Sequence, residues 1–429
     1  MIIILGFAGV LALMLVRVPI GIALGLGGTL GFAAFVGLTP ALRSIGSIAS
    51  DTVMTYDFAV IPMFILMGNL IAQARISEDL FRASHAWLGG MRGGQALATI
   101  TSCGGFSAVC GSSVATAATM GRVAVPQMRK YGYSDALASG SVAAGGTLGI
   151  LIPPSIVLVI YGIMTESDIG ALFIAGMVPG ILGVVLYMAA ISIWVALRPG
   201  IAPASPPVPF REKLASLKDV IWVLALFVVI IGGIYVGLFT PTEAAGIGAF
   251  GALLIALARR RLTLRTLIAT VFDSAMTTAA LLTILIGALI FSNFINVARL
   301  PQMLGDFVQQ VGMTPFMVIL AIVAVYLVLG CVLESMSMLL LTVPIFYPIV
   351  ASLGDELIWF GILVVVVIEI AMITPPIGMN IFIIHAVLPD VPVRTIYGGV
   401  FPFVMADLVR ILLILAFPGV ALWLPNLMT

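Results

Sequence analysis

Charge is what this chain lacks most. Lysine, arginine, aspartate and glutamate together make up 9% of its 429 residues, where a soluble domain carries about 25%. So few charges cannot cover a water-exposed globule. A net charge of +1 also gives no basic excess for a nucleic-acid partner, and none is expected. Histidine is nearly absent (His85 and His385), and three cysteines, Cys103, Cys110 and Cys331, fall at no metal-ligand spacing. In apolar surroundings those cysteines read as small packing residues. Gly-x-Ser-x-Gly, His-Glu-x-x-His and any workable serine–histidine pairing are missing too. That removes the nucleophiles and metals of an intramembrane hydrolase, so neither an enzyme nor a cofactor is expected. Ahead of the first apolar stretch there is no basic run, and the stretch continues through Arg17-Val-Pro19 into a second one; it is read as retained, not cleaved.

What is abundant is hydrophobicity. The chain is 62% hydrophobic with a mean hydropathy of +1.25, arranged in runs near the roughly 20 residues that span a bilayer. The reading is an all-α polytopic membrane protein. The first 38 residues form either two short spans or one long kinked helix. Phe58 to Ala72 follows, then a polar stretch from Gln73 to Arg92. Gln95 to Met128 is apolar but rich in Gly, Ser and Thr and has basic residues at both ends, which suits a re-entrant helical hairpin. Further spans are expected at Ser134–Thr165, Ile169–Leu197, Val220–Leu238, Thr242–Ala258 and Leu267–Val297, with a polar linker over 199–218. Met313 to Val350 resembles the first hairpin, Glu356 to His385 spans, and Val400 to Leu424 closes the chain.

Two proline pairs organise this pattern: Gly146 to Ser155 contains Pro153-Pro154, and Ile373 to Asn380 contains Pro375-Pro376. Each pair removes backbone donors and should interrupt a helix. In lipid, freed carbonyls are tolerated only within protein or beside a polar cavity, and paired breaks in two halves of a chain point to a transporter's binding site. Val125-Pro126 recurs as Val343-Pro344, in the same order and at nearly the same interval as the proline pairs. The positive-inside rule gathers Arg92, Arg129, Lys130, Arg198 and Arg259-Arg260-Arg261 on the cytoplasmic side, leaving Arg43 and Arg299 outside. This places the 199–218 loop in the cytoplasm and the C-terminus in the periplasm. It also makes the two hairpins enter from opposite faces, an inverted repeat.

The expected chemistry lies where helices end inside the membrane and expose unpaired amides and carbonyls. Gly111-Ser112-Ser113 and Thr116 offer hydroxyls and close backbone approach, and the Gly149 to Ser155 break supplies carbonyls opposite them. In the second half, Gly330, Glu334 and Ser335 face Thr374, Pro375 and Gly378. Oxygen ligands of this kind suit a hard cation such as sodium, while small residues also serve close helix packing. Among intramembrane charges, Arg122 faces a substrate carboxylate, pairs with an acid such as Glu369, or snorkels. Glu369 is expected in a hydrogen bond or ion pair, Asp407 and Arg410 at i,i+3 satisfy each other, and Glu243 caps a helix start. Asn380 bonds either freed backbone or substrate.

At these residues the chain resembles the large membrane subunit of tripartite ATP-independent periplasmic (TRAP) transporters. The likeness is carried by Gly111 to Thr116, Val125 to Tyr133, Gly146 to Ser155, Pro241 to Ala245 and Thr374 to Asn380. It implies a sodium-driven importer of organic anions in the bacterial inner membrane, often for dicarboxylates or acidic sugars such as sialic acid. It further implies a separate four-helix small subunit and a periplasmic substrate-binding protein. The implied fold is of the elevator type. Residues 95–165 and 313–385 would form the moving transport domain, and 1–94, 166–312 and 386–429 the scaffold. Sodium would sit at Ser112, Ser113 and Pro153 in one half and at Gly330, Thr374, Pro375 and Gly378 in the other. Substrate would lie between the tips, within reach of Thr116, Ser155, Ser335 and Asn380. A stand-alone sodium/dicarboxylate carrier needing no soluble partner is the alternative.

Overall fold

The computed structural model describes all residues except 204, 207, 331, 332, 355, 428 and 429. Among the described residues the chain is α-helical with short 3-10 turns and no strand. Cys331 lies outside the described residues.

The first 38 residues form two helices, α1 (Ile2–Leu15) and α2 (Ile20–Val36), packed on each other across a turn where Arg17 has φ 66°. Helix α3 (Leu38–Met54) follows after Gly37 and was not expected, because its polar residues interrupt any apolar run. Next come α4 (Val60–Gln73), α5 (Ile76–Leu88), α6 (Gly94–Cys110), α7 (Ser113–Lys130), α8 (Asp135–Thr147), α9 (Ile156–Thr165) and α10 (Ile169–Leu197). The linker is shorter than 199–218: α11 (Phe210–Tyr235) already begins at Phe210. Pro209 presets the entry, and the Arg-Glu-Lys-Leu turn that follows is made of good helix formers, so the helix extends beyond its apolar part.

Helix α12 (Pro241–Ala258) opens with the expected Glu243 cap, a reciprocal box in which Glu243 Oε2 accepts from Thr240 N and Thr240 Oγ1 accepts from Glu243 N. Helix α13 (Leu264–Val297) has 34 residues, about 51 Å at the usual rise, well beyond the ~30 Å of hydrocarbon. The second half continues with α14 (Leu300–Val311), α15 (Pro315–Gly330), α16 (Ser335–Ser352), α17 (Leu357–Ala371), α18 (Met379–Val387), α19 (Val393–Ala416) and α20 (Gly419–Leu422). The last expected span, 400–424, is therefore divided, because Pro418 stops α19 and starts a new turn.

Among the described residues, seven helices are long and apolar enough to cross a membrane: the 56–73 segment that includes α4, then α10, α11, α12, α13, α16 and α19. The two halves repeat one order of elements. A helix ends at an arginine in the left-handed region (Arg75 and Arg299, both φ 56°), and a short amphipathic helix follows (α5 or α14). Then come a helical pair, a helix broken at Pro-Pro, and a long closing helix. The halves also interlock: α9 packs on α16, while α18 packs on α7 and α8.

Candidate functional site

Both proline pairs interrupt their helices, and both Pro-Pro bonds are cis. In the first half the hairpin tip touches the break directly. Gly111 ends α6 with φ 61°, and a Cβ placed on it would lie 2.8 Å from the Pro154 carbonyl oxygen. Ser112 starts α7, its Oγ accepting from Ala115 N at 3.3 Å, and a Cβ on Gly149 would lie 3.1 Å from the Ser112 carbonyl. Ser155 does the same for α9: its Oγ accepts from Leu158 N at 3.3 Å and donates to the Ile150 carbonyl. Two half-helix N-termini, with their partial positive charge, thus begin beside the carbonyls of the 149–154 segment. Pro153 and Ser155 are buried, and so is Thr116, beside the Cys110 thiol.

One further residue belongs here. Ser107 Oγ is buried without a hydrogen-bond partner among the described residues, 3.3 Å from the Cβ position of Gly149. Sequence reading passed over it, although it sits one turn before Gly111 and on the same helix face.

Ser113 and Asn380 bind the halves together. Asn380 Nδ2 donates to Ser113 Oγ at 2.8 Å and to the Ala143 carbonyl of α8 at 3.0 Å, and both side chains are buried. The main-chain partner is a carbonyl within α8 and not one freed at a break. A second link lies at the hairpin base, where Arg129 reaches Asp135 at 2.7 Å and Asp390 at 2.6 Å. The hydrogen bond from Arg129 holds the Asp390 carboxyl below its usual value.

In the second half Glu334 caps α16. Its Oε2 accepts from Ser337 N at 3.2 Å and from Ser337 Oγ at 3.1 Å, and its Oε1 accepts from Ser335 Oγ at 2.9 Å. Gly330 lies against Ala371 at the end of α17, with no room for a Cβ between them. Thr374 Oγ1 donates to the Ile370 carbonyl at 2.6 Å. At Gly378, φ 60°, the carbonyls of Met372 and Thr374 converge within 3.3 Å of the Cβ position. Tyr397 of α19, also unforeseen, brings its hydroxyl to the carbonyls of Pro376 (2.5 Å) and Ile377 (2.9 Å). No local pattern marks it, since its partners are far away in sequence.

Arg122 requires a correction. It does not pair with Glu369, and it lies nine residues into α7, about 13 Å from the tip. It is exposed at the wall of a cavity of about 480 Å³ that also includes Glu78, Arg82 and His85. Glu369 is held instead by Arg410, whose Nη2 also lies 2.7 Å from Asp407 Oδ1. Tyr187 of α10 donates to Asp407 Oδ2 at 2.6 Å, and its hydroxyl lies 3.3 Å from that of Thr147, at the end of α8. The three charged residues are 0% exposed. One guanidinium, two carboxylates and two hydroxyls thus join α8, α10, α17 and α19 beside the first break.

Apolar spanning helices, a repeated hairpin-and-break unit and an inter-half clamp define a multi-pass membrane transport protein. Comparison with known proteins gives the particular kind. The family described as the DctM component of the tripartite ATP-independent periplasmic transporters matches residues 7–420, and the chain belongs to it. It is 38% identical to the C4-dicarboxylate TRAP transporter large permease protein of Pseudomonas aeruginosa, covering 94% of each chain. It is 33% identical to the sialic acid TRAP transporter large permease protein of Vibrio cholerae, over 90% of this chain and 89% of that one. Its fold matches the crystal structure of the Alcanivorax borkumensis YdaH transporter with a TM-score of 0.62, at 14% identity and 89% coverage of each chain. The chain is therefore a large permease component of a tripartite transporter of the bacterial inner membrane, in a family of permeases and not of enzymes.

Proposed function

We propose that this chain is the transport subunit of a Na+-coupled importer of small organic anions, and that a C4-dicarboxylate is the first substrate to test. The substrate class is supported by the names of its relatives and by two half-helix N-termini that favour a carboxylate. The sodium reading rests on one observation: the first tip abuts the first break, with a buried serine at the junction that has no hydrogen-bond partner among the described residues. Sodium is held there by main-chain oxygens of Ser112 and the 149–154 segment, with Ser107. In the second half it is held at Gly330, Thr374, Pro375 and Gly378, with Glu334 ordering the tip. Substrate lies between the tips, near Thr116, Ser155 and Ser335, and Arg122 meets it at the inner mouth.

In this reading the helical pairs α6–α7 and α15–α16 are re-entrant. They move with the broken helices as an elevator against the remaining helices, with the 199–209 loop cytoplasmic and the C-terminus periplasmic. A periplasmic binding protein delivers the substrate, and a small membrane subunit completes the scaffold.

The test is uptake of labelled C4-dicarboxylate into proteoliposomes containing this chain and its small subunit, with the binding protein outside. Uptake is expected to require an inward sodium gradient. Ser107→Ala or Thr374→Ala is expected to raise the sodium concentration for half-maximal uptake several-fold. Uptake indifferent to collapse of the gradient returns the tips and breaks to mere packing. Uptake by this chain alone makes it a stand-alone carrier.

A further inference from the structure

A cavity of about 730 Å³ lies between α5, α11 and α12. Its rim is charged, but the charges do not balance. Asp79 accepts from Arg259 and lies 3.6 Å from Arg82. Asp219 lies 3.5 Å from Arg82, and its carbonyl accepts from Arg259. Glu78 is 3.7 Å from Arg75. Each acid of the rim therefore already faces an arginine. Lys218 and Arg261, both exposed, have no acid partner among the described residues.

Away from the rim the cavity is a groove. Trp222, Leu226 and Val229 descend one face of α11 at helical spacing, and Leu254 lines the opposite wall on α12. Trp222 is 65% exposed, Leu254 50% and Val229 47%, in helices that both qualify as membrane spans. From Lys218 to Val229 the groove runs about 16 Å. Its floor is where Leu226, buried, packs on Gly251: a Cβ on Gly251 would lie 2.5 Å from that side chain. The occupant this shape selects is anionic at one end and apolar along a slender body.

We propose that the groove is a binding site for an anionic phospholipid. Its headgroup phosphate lies on Lys218 and Arg261, and one acyl chain lies along Trp222, Val229 and Leu254. Unpaired basic residues at the end of a membrane groove attract anionic headgroups, and the aromatic ring of Trp222 suits the interface. Since α5 packs on both α11 and α6, bound lipid braces the helix that leads into the first hairpin. This site is independent of sodium coupling.

The full-length chain, purified in detergent and stripped of lipid, is titrated with cardiolipin, phosphatidylglycerol, phosphatidylcholine or inorganic phosphate. Bound lipid is counted by native mass spectrometry, and the unfolding midpoint is followed by heating. The anionic lipids are expected to bind and raise the midpoint, while phosphatidylcholine and phosphate leave it unchanged. Lys218→Gln with Arg261→Gln, which keeps apolar stems in place, is expected to weaken binding roughly 30-fold at about fivefold per charge. Leu254→Trp, which fills the groove, is expected to abolish binding while the lipid-free midpoint stays within a few degrees. Equal response to phosphatidylcholine, or unweakened binding by the double glutamine variant, overturns the proposal. So does a response to phosphate alone, which makes the rim a free-anion site. Displacement of bound lipid by the small membrane subunit assigns the groove to a protein helix and overturns it as well.

Discussion

The two Pro-Pro breaks share a motif and a place in the repeat, yet their surroundings differ. Around the first, Pro153, Pro154 and Ser155 are all buried. Helix α10 covers it: a Cβ on Gly176 would lie 2.8 Å from the Leu151 carbonyl, and one on Gly180 would lie 2.8 Å from Ile152. Around the second, Pro375, Pro376 and Ile377 are exposed, and the closing helix α19 reaches the break through the Tyr397 hydroxyl. The difference teaches that the motif determines where a helix breaks, but the closing helix determines whether the break is covered. Helix α10 presents glycines and comes close. Helix α19 spends its own glycine contact on α8, where Gly399 lies against Ala136 and Gly140. Under the proposed elevator mechanism, unequal cover over equal motifs is what a carrier caught on one side requires.

The largest effect is expected where the covered break is anchored. Arg410→Ala strands two buried carboxylates and should cost about 3–5 kcal/mol, read as loss of folded protein in size-exclusion chromatography. Arg410→Met with Glu369→Leu and Asp407→Leu should recover much of the loss, and failure to do so would mean the network does more than balance its own charges. Next, Gly149→Val places a branched side chain against Ser112. It should abolish sodium-dependent uptake at near-normal expression, whereas Gly398→Val, with no atom of the described residues within 4 Å of its Cβ position, should leave uptake within about twofold.

Asn380→Ala removes the clamp between the halves and leaves the Ser113 hydroxyl without it, costing about 1–3 kcal/mol by thermal unfolding; an unchanged midpoint would show that the halves are held elsewhere. The smallest effect is expected at the open break. Tyr397→Phe should cost no more than about 1 kcal/mol. Reporter cysteines sharpen the comparison directly: Ile377→Cys should react with a polar thiol reagent and Ser155→Cys should not. Equal labelling would remove the asymmetry.

Much of this arrangement could be read from the residues. The proline pairs locate both breaks, Gly111-Ser112 and Gly330 locate the tips, and Thr240 with Glu243 forms a cap from local spacing alone. Asp407 and Arg410 pair as helix neighbours. Helices α3 and α14 escaped because neither contains a continuous apolar run. Glu369, Tyr187 and Thr147 meet only because four helices converge, and nothing in sequence relates partners such as Tyr187 and Asp407, 220 positions apart. Arg122 looked intramembrane because its neighbours are apolar, but its own helix face is open to a cavity. Local chemistry marks the ends of helices, whereas pairing across the fold depends on packing that no single stretch encodes.

The interlock of α18 with α7 and α8 has a consequence for biosynthesis. Asn380 lies 267 positions after Ser113, so the first hairpin is synthesised long before its latch has been translated. Until then the Ser113 hydroxyl lacks the partner it has in the folded chain. A chain released before α18 emerges lacks the link that joins α18 to α7 and α8.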